Sequence, residues 1–219
     1  MAGAPSPLHA QEMDNMVFHW TELEVDASRF DEASFGRWHG SGWIGTDFDR
    51  FWWSTEGGVA DGSVGSAEAM GLYGHYFRRF WDVVVGYRQD IEPVTQGYLT
   101  FGVMGLAPYW FEVGAFGFLS QEGEPSVRLE AETDLLLTQR LILTWGGEMD
   151  WLLTNDERIG LDAGVSDLEF GLRTRYEIRR KLAPYVDLLW VRERDAVPGA
   201  AGSVTESGLQ LGIGLRLIY

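Results

Sequence analysis

The chain has no cysteine, a single lysine and no apolar run of the length a membrane helix needs, and each absence narrows what it can be. Without cysteine there are no disulfides, no thiolate metal ligands and no cysteine nucleophile. Without a run of about 18 apolar residues no helix crosses a bilayer. Basic residues are scarce as well: 17 Lys and Arg face 33 Asp and Glu, a formal charge of −16. That balance argues against a nucleic-acid partner. His39 and His75 lack a Ser or Asp partner at hydrolase spacing, and the glycines of Gly57–Gly65 lack the strand–loop–helix setting of a phosphate loop, so no enzymatic site is expected.

What is abundant is aromatic residues and glycine. Ten Trp, 12 Phe and 8 Tyr accompany 28 Gly in 219 residues, a composition suited to strands that curve and close. The clearest pattern lies at the end of the chain. Leu209, Leu211, Ile213, Leu215, Leu217 and Tyr219 alternate with Gln210, Gly212, Gly214 and Arg216. Eleven such residues match the roughly 9–11 that a tilted strand needs to cross a bilayer with its apolar face outward. A strand of this kind ending on an aromatic residue resembles the signal read by outer-membrane assembly machinery. The bacterial outer membrane is therefore the expected location, and outer-membrane lipid the expected surroundings.

The same two-residue period predicts about twelve strands, an even number as single-chain bacterial barrels require. They fall near Val17–Asp26, Arg37–Gly45, Arg50–Gly57, Ser66–Phe77, Phe80–Asp90, Gly97–Leu106, Trp110–Leu119, Ser126–Leu137, Leu141–Leu153, Asp167–Ile178, Tyr185–Glu193 and Glu206–Tyr219. The intervening segments alternate between short and long. Short periplasmic turns and longer extracellular loops give an all-β, transmembrane, antiparallel up-and-down barrel with both termini periplasmic. Arg78, Arg79, Arg140, Arg179, Arg180 and Lys181 fall in the short segments. Asp31, Glu32, Asp61, Glu92, Glu122, Glu124, Asp156, Glu157, Asp162 and Asp195 fall in the long ones, which predicts an electronegative outer funnel that attracts cations. Residues 1–16 read as a flexible N-terminal segment and 17–219 as the barrel. No secretion signal opens the chain, so the numbering is expected to start after or inside a removed one, with Met1 to Gln11 a processing remnant.

If the apolar parity faces lipid, the other parity names the lumen. It places Arg128, Glu130, Glu132 and Asp134 inward from one strand, Asp82, Arg88 and Asp90 from another, and Glu169, Arg173, Arg175 and Glu177 from a third. Weaker strands add Glu22, Glu24, Glu56, Glu68, Glu112, Glu148, Asp150 and Asp187. A charge on the lipid face would cost roughly 2–4 kcal/mol near the midplane, which supports the assignment. Arg–carboxylate networks often fill narrow barrels simply to replace water. Here carboxylates outnumber arginines, which is what cation selectivity needs. A second feature is His9, Met13, Met16 and His19, whose imidazole and thioether groups suit copper, Cu(I) above all. Met70 and Met104 fall at lumen parity and offer a further soft-ligand track.

Several segments resemble the copper resistance protein B family of outer-membrane proteins. They are Gly42-Trp43-Ile44-Gly45 with Asp47, Arg50 to Gly57 (RFWWSTEG), Leu106 to Glu112 (LAPYWFE), Arg128 to Leu141 (RLEAETDLLLTQRL), Asp167 to Arg180 (DLEFGLRTRYEIRR) and Ala183-Pro184-Tyr185-Val186. The resemblance runs over roughly residues 13–219 and implies an outer-membrane barrel acting in copper homeostasis under copper excess. Members often carry a long Met- and His-rich leader, of which only His9, Met13 and Met16 are echoed here.

Together these readings predict a monomeric barrel that admits copper through an acidic funnel into a carboxylate-lined lumen, with no organic cofactor. Glu68, Asp82, Glu112, Glu130, Glu132, Asp134 and Glu169 are expected to hold the field, and Arg128, Arg173 and Arg175 to narrow the bore. The rival is a plugged barrel that binds copper at His9, Met13, Met16 and His19 and hands it to a periplasmic copper-binding protein or oxidase.

Overall fold

Alternation of apolar and polar side chains leaves each strand with one face that must leave water, and closing the sheet on itself satisfies every strand edge at once. A computed structural model of the protein describes residues 16–30, 33–60, 62–196 and 203–219. Its strands are β1 (Phe18–Phe30), β2 (Ala33–Gly45), β3 (Asp49–Ala60), β4 (Ser63–Arg78), β5 (Trp81–Glu92), β6 (Gln96–Ala107), β7 (Phe111–Ser120), β8 (Pro125–Leu136), β9 (Leu141–Leu152), β10 (Gly164–Tyr176), β11 (Leu182–Ala196) and β12 (Ser203–Ile218). Each pairs antiparallel with its sequence neighbours. β1 closes the barrel against β12 through a register running from Glu22↔Ile218 to Arg29↔Leu211. The Thr21 and Tyr219 backbones bond to each other both ways at 2.9 and 3.1 Å, so both ends of the described chain meet at one rim, the terminal rim.

The face assignment follows the predicted parity. On β12 the outward side chains from Leu209 to Tyr219 are 36 to 76 % exposed, as are Leu99 and Phe101 on β6 at 59 % each. Such an apolar exterior on a closed sheet is soluble only in lipid, which makes this a transmembrane barrel of the outer-membrane type.

The strand count and order agree with the sequence reading, but the alternation of connection lengths does not. Strands β1 to β4 and β10 to β12 run 3 to 4 residues further toward the rim opposite the termini than the two-residue period indicated, so β1 and β2 are separated only by residues 31–32 and β3 and β4 by 61–62. Most of the segments read as long loops are strand extensions that rise past the bilayer, where Gly, Ser and charged residues interrupt the alternation without ending the ladder. The long connection among the described residues is 153–163, between β9 and β10. Asp31, Glu32 and Asp61 of the expected funnel lie outside the described residues, as do His9 and Met13 and most of the N-terminal segment.

The interior is divided lengthwise. On the β3–β7 side, inward Leu72, Val84, Tyr98, Phe116 and Phe118 form a buried apolar cluster with Trp52, Met70 and Met104 packed against it. The remaining wall is charged. Strands β4 to β7 therefore carry apolar residues on both faces.

Candidate functional site: a charged lumen

All ten residues expected to line the lumen point inward, and they separate into those that are ion-paired and those that are not. Arg128 on β8 is the centre of one network. Its guanidinium bonds the adjacent Asp150 through Nε and Nη2, both at 2.9 Å, and lies 3.0 Å from Glu148. It also reaches Glu68 on β4, four strands away, at 3.3 and 3.4 Å. Arg88 on β5 meets the same Glu68 at 2.9 Å and Asp90 at 2.7 Å. Both guanidiniums lie against the Phe118 ring, at 5.0 Å for Arg88 and 5.9 Å for Arg128, so their charge is held by an aromatic face as well as by carboxylates. The bridge ties β8 to β4 across the sector lined by β5, β6 and β7.

A second network closes the β10–β2 side. Arg37 on β2 bonds Asp26 and Asp187, both at 2.9 Å. Arg173 on β10 reaches Glu24 on β1 at 2.5 Å and lies 4.3 Å from the Tyr185 ring. Space for these long side chains comes from β12, whose inward positions 212 and 214 are glycines. A Cβ at Gly212 would overlap the Asp187 carboxylate and come within 3.3 Å of Arg37 Nη2, and one at Gly214 would overlap the Tyr185 ring. Arg216 is paired with Glu22, and Arg175 with Asp134, which also accepts from Thr144 at 2.6 Å. Arg50 holds Asp82 at 2.9 Å.

Three of the seven carboxylates expected to hold the field, Glu68, Asp82 and Asp134, are thus paired with arginine. Glu112, Glu130, Glu132 and Glu169 have no ion pair or hydrogen bond among the described residues. Register brings them together: Glu130 stands opposite Glu148 and Glu148 opposite Glu169, giving three glutamates in one row across β8, β9 and β10. Glu112 likewise faces Glu132. Glu112, Glu132 and Glu169 are water-exposed although they point into the barrel, so this wall is hydrated. Carboxylates directly opposite each other destabilise a sheet, and a wall that merely filled space would have paired them.

Sequence reasoning missed His39. It sits in register between Glu24 and Glu56, with Nδ1 3.5 Å from Glu56 and its side chain 44 % exposed inside the barrel. Its inward parity was the available signal. Met70 and Met104 do face inward, where they pack on the apolar cluster. Met16 and His19 are exposed at the terminal rim, with the His19 ring stacked on Tyr219 at 5.9 Å. Among the described residues no group of three or more His, Cys, Asp or Glu side chains converges to hold a metal ion.

The opposite mouth is partly covered. The 153–163 loop buries Asp156, which accepts from Gln96 on β6 at 3.3 Å. Arg158 of the same loop bonds Glu122 at 2.6 Å and the Thr95 carbonyl at 2.9 Å. The loop leans over the β5–β8 sector, above the Arg88–Arg128 network.

A closed barrel with an apolar exterior and a charged, partly hydrated interior is an outer-membrane β-barrel protein. The fold is shared with solved porins: the NanC porin superposes with a TM-score of 0.61 over 90 % of this chain and 98 % of its own at 14 % identity, and the KdgM porin with 0.56 over the same shares at 11 %. The sequence is more specific than the fold. The family described as Copper resistance protein B precursor (CopB) matches residues 15–219, and the chain belongs to that family. It is 41 % identical over 168 residues to Copper resistance protein B of Escherichia coli, covering 76 % of this chain and 57 % of that protein. It is 42 % identical over 185 residues to the Copper resistance protein B homolog of Pseudomonas syringae pv. tomato, covering 83 % of this chain and 63 % of that protein. The chain thus spans about three fifths of the length of the curated relatives it matches.

Proposed function

We propose that this barrel passes copper ions across the outer membrane along its unpaired carboxylate wall. The observation that carries the reading is the set of inward glutamates with no ion pair among the described residues, Glu112, Glu130, Glu132 and Glu169, of which Glu112, Glu132 and Glu169 are exposed inside the barrel. Negative charge kept against its own repulsion, and accessible to water, lowers the energy of a cation in the bore. His39 adds an imidazole facing the same space, a ligand type that suits copper. The terminal rim is taken as periplasmic, the 153–163 loop as extracellular, and the barrel as a monomer. No bond is made or broken: copper is cargo.

The second reading, a plugged barrel that binds copper and delivers it to a periplasmic copper-binding protein or oxidase, is favoured by the Arg128–Glu68 bridge, which narrows the bore between β4 and β8. Liposomes containing the protein and an enclosed copper-sensitive dye separate the two. Copper entry above that of empty liposomes, reduced by Glu130→Gln/Glu132→Gln/Glu169→Gln, is the expected result. Absence of entry, with copper still bound and binding lost on deletion of residues 1–16, would establish the plugged barrel instead.

A further inference from the structure

Among the described residues Arg37, Arg50, Arg88, Arg128, Arg158, Arg173, Arg175 and Arg216 are paired with carboxylates, but a group of cations at the terminal rim is not fully spent. A notch of about 40 Å3 opens inside that mouth, lined by Arg175, Glu177, Arg180, Lys181, Leu182, Ala183, Arg216 and Ile218. Arg175 and Arg216 come from β10 and β12 with their inner sides occupied by Asp134 and Glu22. Arg180 and Lys181 come from the turn between β10 and β11. The Arg180 side chain has no ion pair or hydrogen bond among the described residues, and the Lys181 ammonium meets the Tyr219 ring, 4.8 Å from Nζ, and no carboxylate among them. Arg216 Nε is buried and donates to nothing among the described residues, the nearest carboxylate oxygen, on Glu24, being 3.8 Å away. Against these four cations the lining offers one carboxylate, Glu177.

We infer that this notch is a binding site for a single phosphate-class oxyanion. The size is appropriate: a water needs about 10–15 Å3 by this measure, so the notch takes roughly three waters or one small tetrahedral anion. The chemistry is appropriate too, because guanidiniums and an ammonium converging from two strands and a turn supply several charge-assisted donors. Arg175 and Arg216 are fixed by their carboxylates and act as the preformed floor. Arg180 and Lys181 are exposed and close over the anion. The phosphate has two sources, inorganic phosphate or the headgroup of a phospholipid at the rim. The site is independent of the copper reading.

The test is equilibrium binding of radiolabelled inorganic phosphate to the full chain in phosphate-free detergent, repeated in nanodiscs containing phosphatidylglycerol. Saturable binding that weakens at least tenfold in Arg180→Ala/Lys181→Ala, and stays unchanged in Arg78→Ala/Arg79→Ala, is expected. The control pair removes the same charge from another turn of the same rim. Saturable binding of phosphatidylglycerol with the same dependence, without inorganic phosphate binding, assigns the site to the headgroup. Binding that does not saturate, or that both double variants weaken equally, refutes the site. Both altered residues in the test pair are solvent-exposed, and heat-modifiable gel mobility verifies that each barrel is folded.

Discussion

At the scale of single residues, the charged half of the lumen depends on what is missing from β12. Gly212 and Gly214 leave room for Arg37, Asp187, Asp26 and Tyr185 to meet over the strand. Gly212→Val is expected to destabilise the barrel by about 1–3 kcal/mol, the usual cost of inserting bulk where neighbours are already packed. Leu211→Val, one residue away but facing lipid, should change stability far less. Urea unfolding in detergent, followed by tryptophan fluorescence, compares the two; equal effects would mean that the glycine positions are not packed as described. Arg128 carries a different liability. Its side chain is 8 % exposed and it serves Asp150, Glu148 and Glu68 together. Arg128→Met should cost about 3–5 kcal/mol, because removing one partner strands buried charge. In the same unfolding measurement, a loss below 1 kcal/mol would demote the network to surface-like pairing.

At the scale of elements, cross-strand register gives the glutamate row its energetics. Relieving a like-charge pair is worth roughly 0.2–1 kcal/mol per contact, so Glu169→Gln is expected to stabilise the barrel slightly while lowering cation passage. That combination separates a functional carboxylate from a structural one, since removing a structural one would lower stability as well. The 153–163 loop makes a second case. Arg158→Ala removes its bonds to Glu122 and Thr95 and should raise amide exchange in that loop with no change in the strands; unchanged exchange would show that the buried Asp156–Gln96 contact alone holds it. The two-residue period made most strands legible because lipid requires an apolar outward face while a charged lumen supplies the polar one. Partners were not legible. Nothing in the spacing of Glu68 and Arg128 indicates that they meet, because it is the curvature of the sheet that turns β4 and β8 toward each other across the lumen. Nor did the period reveal the strand extensions, since beyond the bilayer no apolar face is required. The apolar cluster of Leu72, Val84, Phe116 and Phe118 was obscured for the opposite reason: strands apolar on both faces carry no parity that tells lumen from lipid.

At the scale of the whole molecule, the question is whether an excess of negative charge reaches the permeating ion or is cancelled before it. The formal charge is −16, yet Arg37, Arg50, Arg88, Arg128, Arg173, Arg175 and Arg216 each hold lumen carboxylates, so total charge alone predicts little. Glu112, Glu130, Glu132 and Glu169 remain without an ion pair among the described residues. A field from a local wall has a recognisable salt dependence, because the screening length is about 10 Å at 0.1 M and about 3 Å at 1 M. In a planar bilayer under a potassium chloride gradient, the reversal potential should show strong cation preference near 0.1 M and lose most of it near 1 M. Glu130→Gln/Glu132→Gln/Glu169→Gln should move the low-salt value toward zero, whereas neutralising Glu122, Glu124 and Glu157 at the far mouth should lower conductance with less effect on selectivity. If the mouth variant moved the reversal potential as far as the wall variant, selection would lie in the vestibule, and the glutamate row would have no part in it.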